Sequence, residues 1–195
     1  MNDKLRLDDL LSTDEAVAYV NERLAAAGEP GVSAVGFRTH VHVPQYAQLE
    51  PIRLGERVMD DGARRNTLIV FTRRLLDEYV ANRAHNRRSG AVRLVARPTA
   101  EETAQVFDTP AAVEYVNERI VEQGGMYTLT PALARYYRNT GHLPHRAVSA
   151  MKLVYIRGDL DAFAEFLLAE SRRGYAGAIR TGEGEASEEA DMEVL

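Results

Sequence analysis

The sequence predicts an α+β protein built from two copies of one small domain. The first observation is an internal repeat, because residues 13–23 read TDEAVAYVNER and residues 109–119 read TPAAVEYVNER. The second is that each copy continues with the same order of patterns: a second helix, a β-hairpin and a last helix. Self-similarity of this kind indicates a repeated structural unit. We therefore expect a mainly helical architecture with one small hairpin in each copy.

Composition places the chain among ordinary globular proteins. Its 195 residues are enough for two small domains, and 45% hydrophobic with 27% charged residues is typical of a folded protein. No apolar run approaches the roughly 18 residues of a membrane span, and the start of the chain lacks an apolar signal core. The absence of cysteine excludes disulfides and thiolate chemistry. We expect a cytoplasmic protein with no membrane partner.

The net charge of −5 is unevenly distributed along the chain. Residues 36–98 contain 12 Arg and 6 Asp or Glu, which gives 12 − 6 = +6. Residues 181–195 contain 6 acidic and no basic residues, which gives −6. Such an asymmetry is more informative than the sum. A basic body followed by an acidic tail is compatible with nucleic-acid binding.

The repeated stretch has the features of a helix in both copies. Ser12 or Thr13 can cap the first of these helices, and Thr109 followed by Pro110 begins the second. Apolar residues follow at helical spacing on one face, and glycines end each helix. Because the repeated Tyr and Val have this spacing, we expect them in the core. The stretch is then a scaffolding helix and not the site of action.

The second element of the first copy is ambiguous from its own sequence. Residues 32–44 alternate apolar and polar residues as a strand does, yet Ser33 can also cap a short helix that ends before the next proline. The second copy resolves the ambiguity, because residues 128–141 read as a helix that Thr130 caps. By analogy, we predict a helix over residues 34–42.

A hairpin pattern and a last helix complete each copy. LEPIRL leads through a polar turn into TLIVF in the first copy, and LPHRAVS leads into MKLVYI in the second. Between the copies, AVRLVAR is expected to be a strand, and Thr99 with Glu102 forms a capping box for a short helix. The predicted organisation is a first domain over 1–90, a structured linker over 91–106, a second domain over 107–176 and a flexible acidic tail over 177–195.

This order of elements resembles the winged helix-turn-helix domain of the phage-excisionase and MerR type. In the second copy the resemblance is carried by TPAAVEYV, TPALARYYRNTGHLPHRAV and LVYIRGDLDAFAEFL. In the first it is carried by TDEAVAYV, VSAVGFRTHVH, LEPIRLGE and LIVFTRRLLDEYV. The chain departs from the family in the longer connection between the first two helices of each copy. The resemblance implies two tandem winged helix-turn-helix domains, each with its second helix in the DNA major groove and its hairpin, or wing, on the backbone or minor groove.

The resemblance also implies which residues contact DNA. Arg and Asn can read guanine and adenine edges, and arginines on a hairpin suit phosphate or minor-groove contact. On the second helices the candidate residues are Arg38, Thr39, His42, Thr130, Arg135, Tyr136, Arg138 and Asn139. On the hairpins they are Arg53, Arg57, Arg64, Arg65, His145, Arg146 and Lys152. Arg38 and Arg135 occupy the same place in the two copies and are the leading base-reading candidates.

The expected function is sequence-specific binding of double-stranded DNA, as a transcriptional regulator or a phage-type control protein. An excisionase, which directs recombination, is an alternative within the same class. A non-enzymatic structural or protein-interaction module that reuses the winged fold is an alternative from another class. Besides DNA, the candidate partners are a second copy of the chain and a recombinase or polymerase.

Neither enzyme activity nor a cofactor is expected. The sequence has no glycine-rich phosphate loop and no nucleophile elbow, and no pair of carboxylates stands out. His40 and His42 are too few ligands for a metal site, and on a helix two residues at this spacing do not face each other. We therefore predict no metal site.

Overall fold

The computed structural model describes residues 5–58, 64–88, 94–149 and 152–182. These ranges contain seven α-helices and two three-stranded antiparallel sheets, which confirms the predicted α+β class. No helix within these ranges is long and apolar enough to cross a membrane.

The first copy of the repeat is a helical unit closed by a three-stranded sheet. Its elements are β1 (Leu10–Leu11), α1 (Thr13–Ala26), α2 (Ala34–His42), β2 (Ile52–Val58), β3 (Arg64–Thr72) and α3 (Arg73–Arg88). Strand β3 lies in the centre of the sheet, because it pairs with both β2 and β1. A capping box between Ser12 and Glu15 begins α1, and Ser33 caps α2. The predicted helix over 34–42 is confirmed.

The second copy has the same order of elements. They are β4 (Val106–Phe107), α5 (Thr109–Glu122), α6 (Pro131–Asn139), β5 (Arg146–Ser149), β6 (Lys152–Ile156) and α7 (Arg157–Gly182). Strand β6 lies between β4 and β5, as β3 lies between β1 and β2. The short strand that opens each copy was not expected, since two apolar residues are too few to show a period.

The segment between the copies differs from its prediction in one element. The capping box of Thr99 and Glu102 begins α4 (Ala100–Ala104), as expected. The expected strand AVRLVAR is wrong in its described part, residues 94–97, where Ala96 forms only an isolated parallel bridge with Leu49. Residues 91–93 lie outside the described ranges. The α7 helix runs through Gly182, so residues 177–182 of the expected flexible tail are helical, and residues 183–195 again lie outside the description.

Two residues of the repeated stretch hold the last helix of their own copy. Tyr19 donates its hydroxyl hydrogen to the Asp77 carboxylate at 3.0 Å, and Arg23 Nε donates to the same oxygen at 2.9 Å. Equivalent bonds of 2.7 and 3.1 Å join Tyr115 and Arg119 to Asp161 in the second copy. The repeated Tyr and Arg therefore stabilise the contact between the first and last helices of each copy.

The repeated Asn holds the connection between the first and second helices. The Asn21 side chain accepts from Val32 N at 2.7 Å and donates to Val32 O at 3.1 Å. Asn117 makes the same pair of bonds with Leu129, at 2.7 and 3.0 Å. These bonds satisfy buried backbone groups that an irregular loop would otherwise leave unpaired. They account for the ordered course of these long connections.

The chain forms two compact units that do not coincide with the two copies. The first comprises Met1–Ala112 and Pro144–Gly158, and the second comprises Val113–Leu143 and Asp159–Leu195. The hairpin of the second copy therefore belongs to the same compact unit as the whole first copy. The second unit is formed by the helices of the second copy.

One apolar cluster in the first unit contains residues from both sheets. Its buried members are Leu10, Ile52, Leu68 and Val70 from the first sheet, and Val106, Val154 and Ile156 from the second. A separate cluster lies among the helices of the first copy, where Phe37 packs edge-on against Phe71 and Tyr79 with centroid separations of 5.5 and 5.8 Å. The second copy thus contributes its hairpin to a core that it shares with the first.

A largely buried carboxylate connects α4 to α3. Glu102 accepts from Thr72 Oγ1 at 2.7 Å, from Arg74 Nη2 at 2.6 Å and from the backbone N–H of Thr99 at 2.8 Å. Burial raises the pKa of Glu102, but the hydrogen bonds from Arg74, Thr99 and Thr72 outweigh it and hold the pKa below its usual value. The ionised form is therefore the one that stabilises the fold.

We expect Glu102→Gln to lower the free energy of unfolding at pH 7 by about 1–2 kcal/mol, because charge-assisted bonds become neutral ones. A carboxylate with a depressed pKa stabilises the fold above its unfolded pKa, near about 4.3, and loses that contribution as pH falls through its folded pKa. Denaturant titrations at a series of pH values between about 5 and 3 measure this effect. The free energy of unfolding should change less steeply with pH in the variant than in the wild type. An equal slope for both proteins would contradict this role.

Candidate nucleic-acid interface

Helix α2 buries one face and exposes a guanidinium and an imidazole on the other. Phe37 and Val41 are buried, while Arg38 and His42, one turn apart, are exposed. Thr39 is half-buried and its hydroxyl donates to the Val35 carbonyl at 2.9 Å, so the hydroxyl is satisfied within the helix. Helical spacing predicts Phe37 and Val41 in the core and Arg38, Thr39 and His42 outward; the structure confirms this except for the half-buried Thr39.

Arg53 on β2 adds a second guanidinium near the exposed face of α2. Arg53 is exposed, and its charge acts on His42. Burial lowers the pKa of His42, and the charges of Arg53 and Arg38 lower it further. We call the surface formed by Arg38, His42 and Arg53 the α2 face. The positive potential of Arg38 and Arg53 disfavours protonation of His42 and favours the approach of an anion.

Three further candidates lie on the same hairpin. In the register of β2 and β3, Arg57 stands opposite Arg65, and Arg64 stands opposite Val58. The side chains of these arginines lie outside the described part of the structure. Their backbone positions are farther along the hairpin than Arg53, toward its tip.

Helix α6 presents the equivalent residues in the second unit. Thr130 Oγ1 caps the helix by accepting from Leu133 N at 3.3 Å, so this candidate has a structural role. Ala134 is buried, and the Tyr137 ring packs edge-on against Phe163 at 5.3 Å. The remaining candidates on α6 are Arg135, Tyr136 and Asn139, which are exposed, and Arg138, which is half-buried.

The second hairpin does not present its candidates as a free wing does. Arg146 donates to Glu15 at 2.7 Å, lies 3.7 Å from Asp8 and has a side chain only 22% exposed. Burial raises the pKa of Glu15, but bonds from Ser12 and the charge of Arg146 outweigh it, so this pKa is lowered. The Arg146 charge is therefore balanced within the protein.

The two remaining candidates of this hairpin differ in exposure. His145 is half-buried and its ring lies 6.3 Å from that of Tyr155. Lys152, in contrast, is exposed and lines a surface cleft together with Arg38. The structure therefore brings Arg38, His42, Arg53 and Lys152 into the first compact unit.

Two acidic residues near these cations were missed by the sequence reasoning. Asp14 lies 3.8 Å from Arg38, and Glu15 pairs with Arg146. From the sequence, both are explained as acidic residues in the first turn of α1, where they interact favourably with the positive end of the helix dipole. Only the folded chain places them beside distant arginines.

Comparison of the chain with models of protein families, with curated proteins and with solved structures finds no match. Within the described ranges, no group of three or more His, Asp or Glu residues is arranged to hold a metal ion.

Proposed function

We propose that this protein binds double-stranded DNA sequence-specifically, with α2 as the reading helix and the β2–β3 hairpin as a wing. The observation that carries the proposal is the α2 face, where the exposed Arg38 guanidinium and His42 imidazole of a helix lie with the Arg53 guanidinium of the adjacent hairpin. The order of helices and hairpin in the first copy supports a winged helix-turn-helix assignment. Transcriptional control or phage-type control is the role that fits such a protein.

The dimensions and chemistry of α2 suit the major groove. A helix is about 10–12 Å across with its side chains, and the major groove is about 12 Å wide. Arg38 can donate two hydrogen bonds to one guanine, an interaction worth about 1–3 kcal/mol of base discrimination. Its pairing with Asp14 is long and solvent-exposed, with exposed fractions of 59% and 89%, so the pair costs little to separate.

The two copies have different roles in this proposal. The hairpin of the second copy shares the apolar core of the first unit, and Arg146 is held by Glu15. We therefore assign this hairpin a structural role. Helix α6, with exposed Arg135, Tyr136 and Asn139, is the contribution of the second copy to DNA contact.

A protein-interaction module is the second candidate function. The ion pair of Arg146 with Glu15 favours it, because it satisfies a wing cation within the protein. An excisionase is a variant of the DNA-binding proposal. A recombination assay with the cognate integrase distinguishes it from a regulator.

The proposal predicts that Arg38→Ala weakens binding to a preferred duplex by about 1–3 kcal/mol, or roughly 5- to 150-fold. The preferred duplex is selected from a random library with the wild-type chain, and affinities are measured by gel shift across a salt series. Arg135→Ala tests α6 in the same way. For the wild type, a plot of the logarithm of the binding constant against the logarithm of the salt concentration should have a slope of about −0.9 for each phosphate contact.

Arg172→Ala is the matched control, because it removes the same charge from an exposed position on α7. It should leave the affinity for the preferred duplex unchanged. Equal losses on preferred and random duplexes would reduce Arg38 to a phosphate contact. Absence of binding at low salt would reject the DNA proposal and favour the interaction module.

A further inference from the structure

A surface cleft of about 330 Å³ lies in the first compact unit beside the start of α1. Thr13 and Asp14 line it from α1, and Arg38 lines it from α2. Ser149 and Lys152 line it from the hairpin of the second copy. Leu68, Ile69 and Val148 supply apolar walls. The cleft therefore combines residues from both copies of the repeat.

The polar lining of the cleft is suited to a small anion. Arg38 and Lys152 bring two cations from separate elements, and Thr13 and Ser149 bring two hydroxyl groups. A guanidinium and an ammonium with nearby hydroxyl donors are the groups that proteins use to bind phosphate oxygens. The start of α1 adds the partial positive charge of a helix N-terminus.

Among the described residues that line the cleft, Asp14 is the acidic one. Its carboxylate lies 3.8 Å from Arg38 Nη2 and is therefore an internal competitor for an anionic ligand. Because the side chain is 89% exposed, it can rotate into solvent when a ligand arrives. The presence of this carboxylate makes a specific prediction possible, since removing its charge should strengthen anion binding.

We propose that this cleft binds a phosphate ester between Arg38 and Lys152. Its size suits a phosphate with a small apolar or sugar attachment, since ligand pockets begin at about 300 Å³. Two sources present this chemistry: a free nucleoside monophosphate, and a backbone phosphate of duplex DNA. The second source rests on the duplex binding of the proposed function but makes Arg38 a phosphate contact in place of a base-reading residue, whereas the first source is independent of that function.

The test uses the full-length chain and NMR amide shifts, with inorganic phosphate, adenosine 5′-monophosphate and a duplex as separate probes. We expect shifts at Thr13, Asp14, Ser149 and Lys152. Lys152→Gln should weaken monophosphate binding by about tenfold, and Asp14→Asn should strengthen it several-fold, as removing one charge-assisted contact or one competing charge implies. Arg172→Gln and Glu118→Gln are matched controls at exposed positions on other helices.

The probes separate failure of this inference from failure of the proposed function. Monophosphate binding at the cleft without duplex binding supports the cleft and rejects the DNA proposal. Duplex binding that shifts none of the cleft amides, with affinity unchanged in Lys152→Gln and Asp14→Asn, rejects the cleft and leaves the DNA proposal in place. Duplex binding that responds to both variants supports a backbone phosphate in the cleft. Absence of cleft shifts with all three probes overturns the inference.

Discussion

Val154→Asp is expected to unfold the first compact unit. The loss should include the sheet of the first copy, although Val154 lies on the hairpin of the second copy. Val154 is completely buried and shares an apolar cluster with Ile52 and Val70. An isolated carboxylate in such a place costs more than about 4 kcal/mol, against a total stability of about 5–15 kcal/mol for a typical protein. Denaturant unfolding followed by circular dichroism measures the loss.

Ala147→Asp is the matched control for this substitution. Ala147 lies on the same hairpin but is exposed, so its replacement should change the free energy of unfolding by no more than about 0.5 kcal/mol. Should Val154→Asp fail to accumulate, Val154→Ala provides a milder cavity variant, expected to cost about 2 kcal/mol. Amide shifts at Ile52 and Val70 are the decisive readout. If they stay unchanged in the destabilised Val154 variants, the two sheets do not share a core.

Asn21→Ala and Asn117→Ala are each expected to lower the free energy of unfolding by about 2–6 kcal/mol. Each Asn pairs with both the N–H and the C=O of one loop residue, Val32 or Leu129. These loop residues are buried, so truncation leaves two backbone groups unpaired at about 1–3 kcal/mol for each. Chemical denaturation of the single variants measures the loss in each copy.

Glu22→Ala and Glu118→Ala are controls within the same repeated stretch. Glu22 and Glu118 recur as faithfully as the Asn residues, but they are exposed. Their substitution should cost no more than about 0.5 kcal/mol. Equal effects of the Asn and Glu substitutions would mean that the Asn bonds to the loop contribute nothing of their own.

These predictions give the repeated stretch a physical meaning. Its Tyr, Asn and Arg make the same bonds in both copies, and the Asp that receives two of them recurs on the last helix. What the two copies share is therefore a set of bonds that joins the first helix to the last helix and to the loop before the second helix. The surfaces that differ between the copies are the ones available for different roles.

The sequence was sufficient for features that depend on neighbouring residues. The α2 helix follows from its cap at Ser33 and from comparison with the Thr130-capped helix of the second copy. The burial of Phe37 and Val41 and the exposure of Arg38 and His42 follow from helical spacing. Capping and helical spacing involve residues close in sequence, so they can be predicted without knowing the rest of the fold.

The strands and the ion pairs required the folded chain. Leu10 and Leu11 form a strand only because β3, more than fifty residues later, offers them a hydrogen-bonding edge. Arg146 read as a residue of a free wing, yet it pairs with Glu15 across 131 residues of sequence. Charge type is visible in a sequence, but the distance between two charges is not.

By itself, the sequence determined the α+β class, the twofold repeat and the polar side of α2, because helical period and capping are local properties. Only the tertiary structure decided that the second hairpin packs in the core of the first unit. It also decided that Asp14 and Lys152 share a cleft with Arg38. These outcomes depend on which apolar faces meet when the chain closes, and many distant partners can satisfy the same local pattern.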